Sequence, residues 1–455
     1  MKMTIMELQK TLEKVRTKEC LIEVFGLGYV GFPLSVRLAS AGFKIVGIDT
    51  DKKKVENLKN KSLIGSHLDL QAQFLESLKN EKLVLSEKSN KSNNPRIGII
   101  SVPTPVSDRN VDSNVFVDSA VQSFLDNSQA GDMIILESSV RVGTTDEIKE
   151  KIRTRGYTVG ENFGLCFCPE RIDPLNQKWK LENIPRVIFA SDDTSFQIAQ
   201  KIYAHVNNSK LIRVSSPKVA EVVKSFENAF RLVNISLVNE LAILCDKLQI
   251  NVREVIDAAA TKPFGFMPFY PGAGAGGHCI PKDPRFLVES AKKMGLNIST
   301  IENALAINSL VPKYIVNAIE KGLNEMKLEK SVLVCGLSYK PDIEDMRDSA
   351  SFKILNEFYQ KKFKIASYDP YFKRELLGKY LIENHIEKFD FRVLSDLDDK
   401  SIKEYGCICI VQHHTKTKFR LEEIYKKSLV SLIYDCQNRI TYDSNSKTVL
   451  KRLGY

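Results

Sequence analysis

The stretch "LIEVFGLGYVG", Leu21 to Gly31, decides how this chain is read. A short apolar run suited to a buried strand ends at Gly26, and Gly26, Gly28 and Gly31 stand in Gly-x-Gly-x-x-Gly order before a helical run. In such a turn the first glycine permits the tight bend and the second lets a pyrophosphate approach the main chain. The third lets helix and strand pack closely, and the helix N-terminus faces the anion. Moving outward, the apolar run "KIVGID" ends in Asp49, where a carboxylate can hydrogen-bond a ribose 2′-hydroxyl and reject a 2′-phosphate. Together these features favour NAD over NADP. "RIGIISVP" (Arg96–Pro103) and "DMIILES" (Asp132–Ser138) continue the alternation of near-continuous apolar strands with helical stretches, the pattern of a doubly wound parallel sheet.

Further strand-like runs, "GLCFCP", "PRVIFA" and "KLIRVS", carry this texture to Ser215. From Pro217 to Ile250 no Gly or Pro follows the opening proline, and "SSP" offers a serine N-cap and a first-turn proline. This predicts one long helix, apolar nearly all round and hence buried between domains. "SVLVCGLSYKP" (Ser331–Pro341) restarts the strand–turn pattern, with a helix from Ser349 and later strands in "KIASYDP", "CICIVQ" and "SLIYDC". The expected fold is α/β: two Rossmann-like doubly wound α/β domains joined by a helical central domain with a long helix. The boundaries expected are 1–19 for an amphipathic N-terminal helical extension, 20–215 for the NAD-binding domain, 216–325 for the helical middle and 326–455 for the second α/β domain.

A chain of 455 residues exceeds what one core supports, and 43% hydrophobic with 27% charged residues fits a globular protein without a membrane-spanning run or signal peptide. The expected location is cytoplasmic, with no membrane partner. Nine cysteines, an odd number, read as reduced thiols in that compartment. Cys166/Cys168 and Cys407/Cys409 are Cys-x-Cys on strands and read as core packing, so no metal is expected. The charge of +10 comes from 66 basic and 56 acidic residues interspersed, without a recognition motif, so no nucleic acid is expected.

Several residue types carry chemistry. "SVPTP" (Ser101–Pro105) and "ESSVRVGTT" (Glu137–Thr145) sit at strand ends where open α/β sheets bind ligands, and each is equally compatible with ordinary turn chemistry. Lys224 and Asn228 share one face of an apolar helix; a lysine there needs a counter-charge or a task, and the residue types leave both open. "GAGAGGHCIPKDP" (Gly272–Pro284) places Cys279 after flexible backbone and just before Lys282 and Asp283. Positive charge activates a thiol and a carboxylate can activate water, whereas an isolated cysteine also serves as core filler. His278 reads as a packing or hydrogen-bonding residue.

These segments, with "CPERIDP", "KSFENAFRLVNISLVNEL" and "GLSYKPDIEDMRDS", resemble in order the UDP-glucose/GDP-mannose dehydrogenase family over nearly the whole chain. "TKPFGFMPFYPGAGAGGHCIPKDP" looks closest to the branch oxidising UDP-N-acetylglucosamine, with UDP-N-acetylmannosamine next and UDP-glucose as a further alternative. The resemblance implies oxidation of a sugar C6 alcohol to the acid by two hydride transfers to NAD, through a thiohemiacetal and thioester on Cys279. It implies oxyanion stabilisation by Lys224 and Asn228, and water activation by Asp283 and Glu170 with the Ser139 hydroxyl. NAD contacts are implied at Gly26, Gly28, Tyr29, Val30, Gly31, Asp49, Lys54, Pro103, Thr104 and Thr144. UDP-sugar contacts are implied at Arg171, Phe264, Phe269, Tyr270, Gly272, Gly274, Gly276, Lys340, Arg347 and Arg439. A homodimer or higher homo-oligomer through the long helix is implied as well.

The chain departs from the family pattern in three places. Pro271-Gly272-Ala273-Gly274 replaces Pro-Gly-Pro-Gly, Ser139 replaces a threonine, and Gln437 followed by Arg439 replaces the arginine of Asp-x-Arg-Asn. Two other readings compete. A hydroxyacid dehydrogenase with Lys224 as acid/base leaves Cys279 and the last domain unexplained, and a non-catalytic nucleotide-sugar or NAD sensor leaves the intact catalytic positions unexplained.

Overall fold

The computed structural model describes residues 5–60, 68–105, 114–173, 176, 178–208, 210–372, 377 and 391–455. Residues 1–4 of the expected extension and Pro174 of "CPERIDP" lie outside them. The chain forms two compact units, Met1–Glu227 with Arg285–Leu296, and Asn228–Pro284 with Asn297–Tyr455.

In the first unit the strands are β1 (Leu21–Phe25), β2 (Lys44–Ile48), β3 (Leu83–Ser86), β4 (Arg96–Ile100), β5 (Met133–Leu136), β6 (Gly164–Phe167), β7 (Arg186–Ala190) and β8 (Leu211–Arg213). They lie in the order β3-β2-β1-β4-β5-β6-β7-β8, and only the β6–β7 pair is antiparallel. Because β1 pairs with both β2 and β4, the chain reverses direction across the sheet beside β1, and the crevice at the strand C-termini opens there. β4, β5 and β6 are buried at every position, which explains why their sequences are apolar without alternation.

A helix spans Ile5–Arg16 and buries Leu8, Leu12 and Val15, one apolar stripe at helical spacing. Its Thr11 hydroxyl donates to the Gly131 carbonyl at 2.7 Å, just before β5. At that end of the sheet Arg96 is wholly buried, bonding Glu23 at 3.0 Å, Asp132 at 3.2 Å and Ser89 at 2.9 Å. Burial pushes the Asp132 carboxyl up to about 6, against the pull of Arg96.

The second unit holds β9 (Ser331–Cys335), β10 (Lys364–Tyr368), β11 (Arg392–Val393), β12 (Cys407–Ile410), β13 (Leu432–Asp435) and β14 (Val449–Arg452). Their order is β11-β10-β9-β12-β13-β14, all parallel, so the reversal recurs beside β9. The expected pair of Rossmann-like α/β folds with a helical region between them is present, that region comprising Pro217–Leu248, Val252–Ala260, Asp283–Lys293 and Ser299–Glu325.

The long helix starts as the sequence predicts, with the Ser216 hydroxyl accepting from the Val219 amide at 3.3 Å. It ends where Gln249 turns to a φ of +57° and Asn251 caps the following helix through the Arg253 amide. The expectation that it is buried all round is corrected. Phe226, Phe230, Leu237, Leu244 and Leu248 are exposed, forming a stripe at three- to four-residue multiples along the helix. It is also the one helix among the described residues long and apolar enough to cross a membrane by length and composition. Its wholly buried Glu221 nevertheless accepts from the Gly143 and Thr145 amides at 2.7 and 2.8 Å, work suited to a protein core.

Candidate functional site

At the β1 C-terminus, Gly26 turns at φ +89°, and a Cβ there would lie 2.4 Å from the Ser101 carbonyl oxygen. A Cβ on Gly31 would lie 2.0 Å from the Gly26 carbonyl oxygen, so the turn closes only with glycine. Gly28 is different, because a Cβ there meets nothing within 4 Å. That open side is where the helix Gly31–Ser40 begins, and no side chain caps its N-terminal amides. Main-chain donors and space together fit a dinucleotide pyrophosphate.

Asp49 is tied into the same turn, accepting from the Leu27 amide at 2.9 Å, the Asp51 amide at 3.0 Å and the Lys54 ammonium at 2.8 Å. Two carboxylate oxygens offer about four acceptor sites, so capacity remains for a ribose hydroxyl. Lys54 therefore works on Asp49 directly. Tyr29 is half exposed on the glycine turn, and Pro103 is exposed beyond β4. Thr104 donates its hydroxyl to the Ser139 carbonyl at 2.7 Å, joining the "SVPTP" and "ESSVRVGTT" turns. Thr144 is buried, donating to the Arg141 carbonyl at 2.8 Å and accepting from Asn114 at 2.9 Å, so its hydroxyl serves the protein interior.

Opposite outcomes are expected at the two glycines. Gly31→Ala, with its Cβ driven into main chain, should lower stability by about 1–3 kcal/mol. Gly28→Ala should keep the wild-type melting temperature yet raise the NAD Kd by about tenfold or more, since a methyl occupies the phosphate approach. Thermal melts with NAD titration check both.

Glu170 is fixed by a network that the sequence reading missed. Its Oε1 accepts from the Arg171 and Ile172 amides at 2.6 and 2.9 Å, and its Oε2 lies 3.0 Å from Arg186. Arg186 is 1% exposed, lies 4.4 Å over the Tyr203 ring, and donates to Glu137 at 2.7 Å and to the Cys168 carbonyl at 3.1 Å. Tyr203 donates to the same Glu137 oxygen at 2.5 Å. Burial raises the Glu137 carboxyl, with Arg186 pulling it down and Glu170 pushing it further up. A charged residue inside the apolar run "PRVIFA" was the available signal. Arg171 pairs with Glu227 of the long helix and donates to the Pro185 carbonyl at 2.7 Å; Lys224, one turn before Glu227, is partly buried.

In the second unit, "HCIPKD" forms a turn in which the Asp283 amide donates to the Cys279 carbonyl at 2.9 Å and opens the helix Asp283–Lys293. Asp283 is wholly buried, with Oδ2 accepting from Asn228 at 2.7 Å and Oδ1 2.9 Å from Lys282. Asn228, Lys282 and Asp283 are thus assembled at the base of the turn that exposes Cys279. Burial lowers the His278 pKa, and Arg347 and Lys282 lower it further. The other eight cysteines are buried; burial pushes Cys168 up to about 11 and raises Cys166 and Cys407 as well.

The glycine loop before Cys279 is threaded tightly. Gly272 donates its amide to Asn239 at 3.0 Å. A Cβ on Gly276 would lie 2.7 Å from the Asp348 carbonyl oxygen, and one on Gly277 would lie 2.7 Å from the Tyr339 ring. Phe269 packs edge-on against Phe230, Tyr270 donates to Asp257 at 2.6 Å, and Phe264 is exposed. Arg347 makes a bidentate pair with Asp345 and accepts the Gly277 amide on its carbonyl at 3.1 Å. Lys340 is partly buried on the same segment. Arg439 is exposed, its amide bonded to Asp435, while Gln437 accepts from the His413 amide at 3.4 Å.

The second sheet repeats the first one's device, with Asp369 accepting from the Leu337 amide at 2.6 Å as Asp49 does from Leu27. Here, however, Asp369 also holds His414 at 3.1 Å and the Ser338 and Tyr371 amides, so its acceptor capacity is used.

A glycine turn that fits a dinucleotide pyrophosphate, on a Rossmann-like unit, is the mark of the nicotinamide-dependent oxidoreductases, and the family match makes the chain an NAD-dependent oxidoreductase. The chain belongs to the UDP-glucose/GDP-mannose dehydrogenase family, matching its NAD binding domain over residues 20–207, its central domain over 218–310 and its UDP binding domain over 333–442. NAD is its cofactor, and its activity is that of a nucleotide-sugar dehydrogenase. Among relatives, the UDP-N-acetyl-D-mannosamine dehydrogenase of Methanococcus aeolicus is 31% identical over 449 residues, 96% of this chain and 95% of the relative. The solved structure of the UDP-D-ManNAc dehydrogenase from Pyrococcus horikoshii matches with a TM-score of 0.82 at 26% identity, covering 95% of this chain and 99% of that one.

The branch suggested by the cysteine loop is therefore corrected. The UDP-N-acetyl-D-glucosamine 6-dehydrogenase of Salmonella typhi, at 30% identity, matches over only 78% of this chain and 84% of its own length.

Proposed function

We propose that the chain oxidises the C6 hydroxymethyl group of UDP-N-acetylmannosamine to a carboxylate. The likeness to mannosamine dehydrogenases over 96% of the chain supports the sugar. The observation that carries the chemistry is the exposed Cys279 thiol on a turn whose base holds a buried Asp283 between Asn228 and Lys282.

Bound NAD supplies the hydride acceptor for each of two oxidations. Cys279 adds as thiolate to the C6 aldehyde, which keeps that carbon in place for the second oxidation and leaves a thioester. Lys224 and Asn228 stabilise the oxygen that becomes anionic at C6. Asp283, with Glu170 and the Ser139 hydroxyl, orients and deprotonates the water whose oxygen enters the product, and the thiol is released. In sum, one alcohol, one water and two NAD+ give one carboxylic acid, two NADH and two protons, with a third proton released as the acid ionises.

Gly26, Gly28, Gly31 and Asp49 hold the dinucleotide, while Lys340, Arg347, Arg439 and the loop from Phe264 to Gly276 hold the UDP-sugar. The domains divide near residues 215 and 325. The exposed apolar stripe of the long helix supports a homodimer or higher homo-oligomer, and the composition supports a cytoplasmic enzyme.

A panel of UDP-N-acetylmannosamine, UDP-N-acetylglucosamine and UDP-glucose, read by NADH formation, tests the sugar. kcat/KM should favour the mannosamine by about tenfold or more, the discrimination one misplaced substituent supports. Equal or better turnover of either other sugar rejects the proposal.

A further inference from the structure

We infer that Asn308 is a positioning residue for the Cys279 thiol, acting through the glycine loop; the inference rests on the thiol chemistry proposed above. Asn308 lies in the helix Ser299–Glu325, which carries Pro312 in its interior. A proline has no N–H to give, so the carbonyl four residues earlier, that of Asn308, loses its helical donor. The loop passes at that opened turn. Gly274 sits there at φ +125°, where a Cβ would lie 3.3 Å from the Asn308 carbonyl oxygen and 3.4 Å from its Oδ1.

The Asn308 side chain, 3% exposed, then pairs with the loop as a neighbouring strand would. Its Oδ1 accepts from the Ala275 amide at 2.6 Å, and its Nδ2 donates to the Ala275 carbonyl at 3.1 Å. This two-bond clamp lies four residues before the thiol, in a stretch where glycine leaves the main chain with maximal freedom. On its other side the loop is fixed by the Gly277 amide bond to Arg347 and by the close approach of Gly276 to Asp348. Position matters because a misplacement of about 1 Å at a reacting atom costs on the order of a hundredfold in rate. The main-chain amide at Ala275 is what a proline there would remove, so the clamp needs a residue with an N–H at that position. Ala273 is buried in the core, and Ala275 offers main chain on both its amide and its carbonyl.

The test compares wild type with Asn308→Ala, folding being checked by circular dichroism. Hydrogen exchange at Gly272–Gly277 should accelerate about tenfold or more, because the Ala275 amide loses its acceptor and the loop its clamp. With UDP-N-acetylmannosamine and NAD, kcat should fall by about 10- to 100-fold while KM for the sugar changes less than about threefold, because placement of the thiol rather than binding is lost. Aldehyde trapped by semicarbazide should appear, and NADH per sugar should drop from two toward one. Faster exchange with unchanged kcat and two NADH per sugar overturns the inference, since the clamp would then be structural only. A wild-type ratio of one overturns the underlying reaction and this inference with it. If Asn308→Ala does not fold, the isosteric Asn308→Asp, which keeps the acceptor and sets an oxygen against the Ala275 carbonyl, is read in the same assays with the same criteria.

Discussion

Cys279→Ala is expected to reduce formation of the sugar acid by at least about a thousandfold, the scale on which removal of a covalent nucleophile acts. The loss should fall on kcat, with UDP-sugar affinity changed by less than about threefold, because the thiol contributes to bond formation rather than to substrate binding. The melting temperature should not change, since Cys279 is exposed and removing its sulfur opens no cavity. A thiol titration of the native protein gives a second readout. Cys279 is the only exposed cysteine of the nine, and burial lifts thiols such as Cys20 to about 12 and Cys168 to about 11, so one thiol per chain should react fast and none in the variant. Acid formation surviving in Cys279→Ala at more than about a tenth of the wild-type rate would remove covalent catalysis from the scheme.

Arg186→Met is expected to cost about 3–5 kcal/mol, the penalty for leaving a buried charge without its partner. Three groups lose their partner at once: Glu137 and the Cys168 carbonyl a hydrogen-bond donor, and Glu170 its ion pair. A thermal melt should show a fall of about 10 °C. Activity should fall more than stability, because Glu170 is a proposed water-activating group and Arg186 holds its Oε2. Paired replacement of Arg186 and Glu137 by apolar residues should recover much of the stability but not the activity, since two buried charges leave together while Glu170 still lacks its anchor. A melt unchanged to within about 0.5 kcal/mol would show that the network carries no net stability.

Much of the architecture was legible from Leu21 to Asp49 and from Ser331 to Asp369, because an apolar strand, a glycine turn and a strand-end carboxylate are local features at fixed spacing. β3, β11 and β14 escaped notice for physical reasons. "LVLS" is four residues long, β11 is two, and "VLKR" carries two charges, so none reads as an apolar run. The long helix was recognised by its unbroken pattern and its Ser216 cap, but which side of an all-round apolar helix is covered depends on the tertiary fold. Cys279, Asp283 and Asn228 were candidates by type and spacing, yet the Asn228–Asp283 bond joins residues 55 apart. Arg186 shows in the sequence only as a charge inside an apolar run and Asn308 shows no local signal, because their meaning lies in their partners: Glu137 is 49 residues away and Ala275 is 33. The sugar branch was not legible in the loop because residue types alone do not give the configuration of a sugar carbon; likeness over the whole chain points to the mannosamine dehydrogenases.

The central claim is that one thiol carries one sugar through two oxidations at one site. Its most direct test is the NADH yield per UDP-N-acetylmannosamine consumed by the wild-type enzyme with NAD in excess, with the product identified by mass spectrometry. The account predicts two NADH per sugar, a uronic acid as the product and no trappable aldehyde. One NADH per sugar with free aldehyde in solution would contradict it.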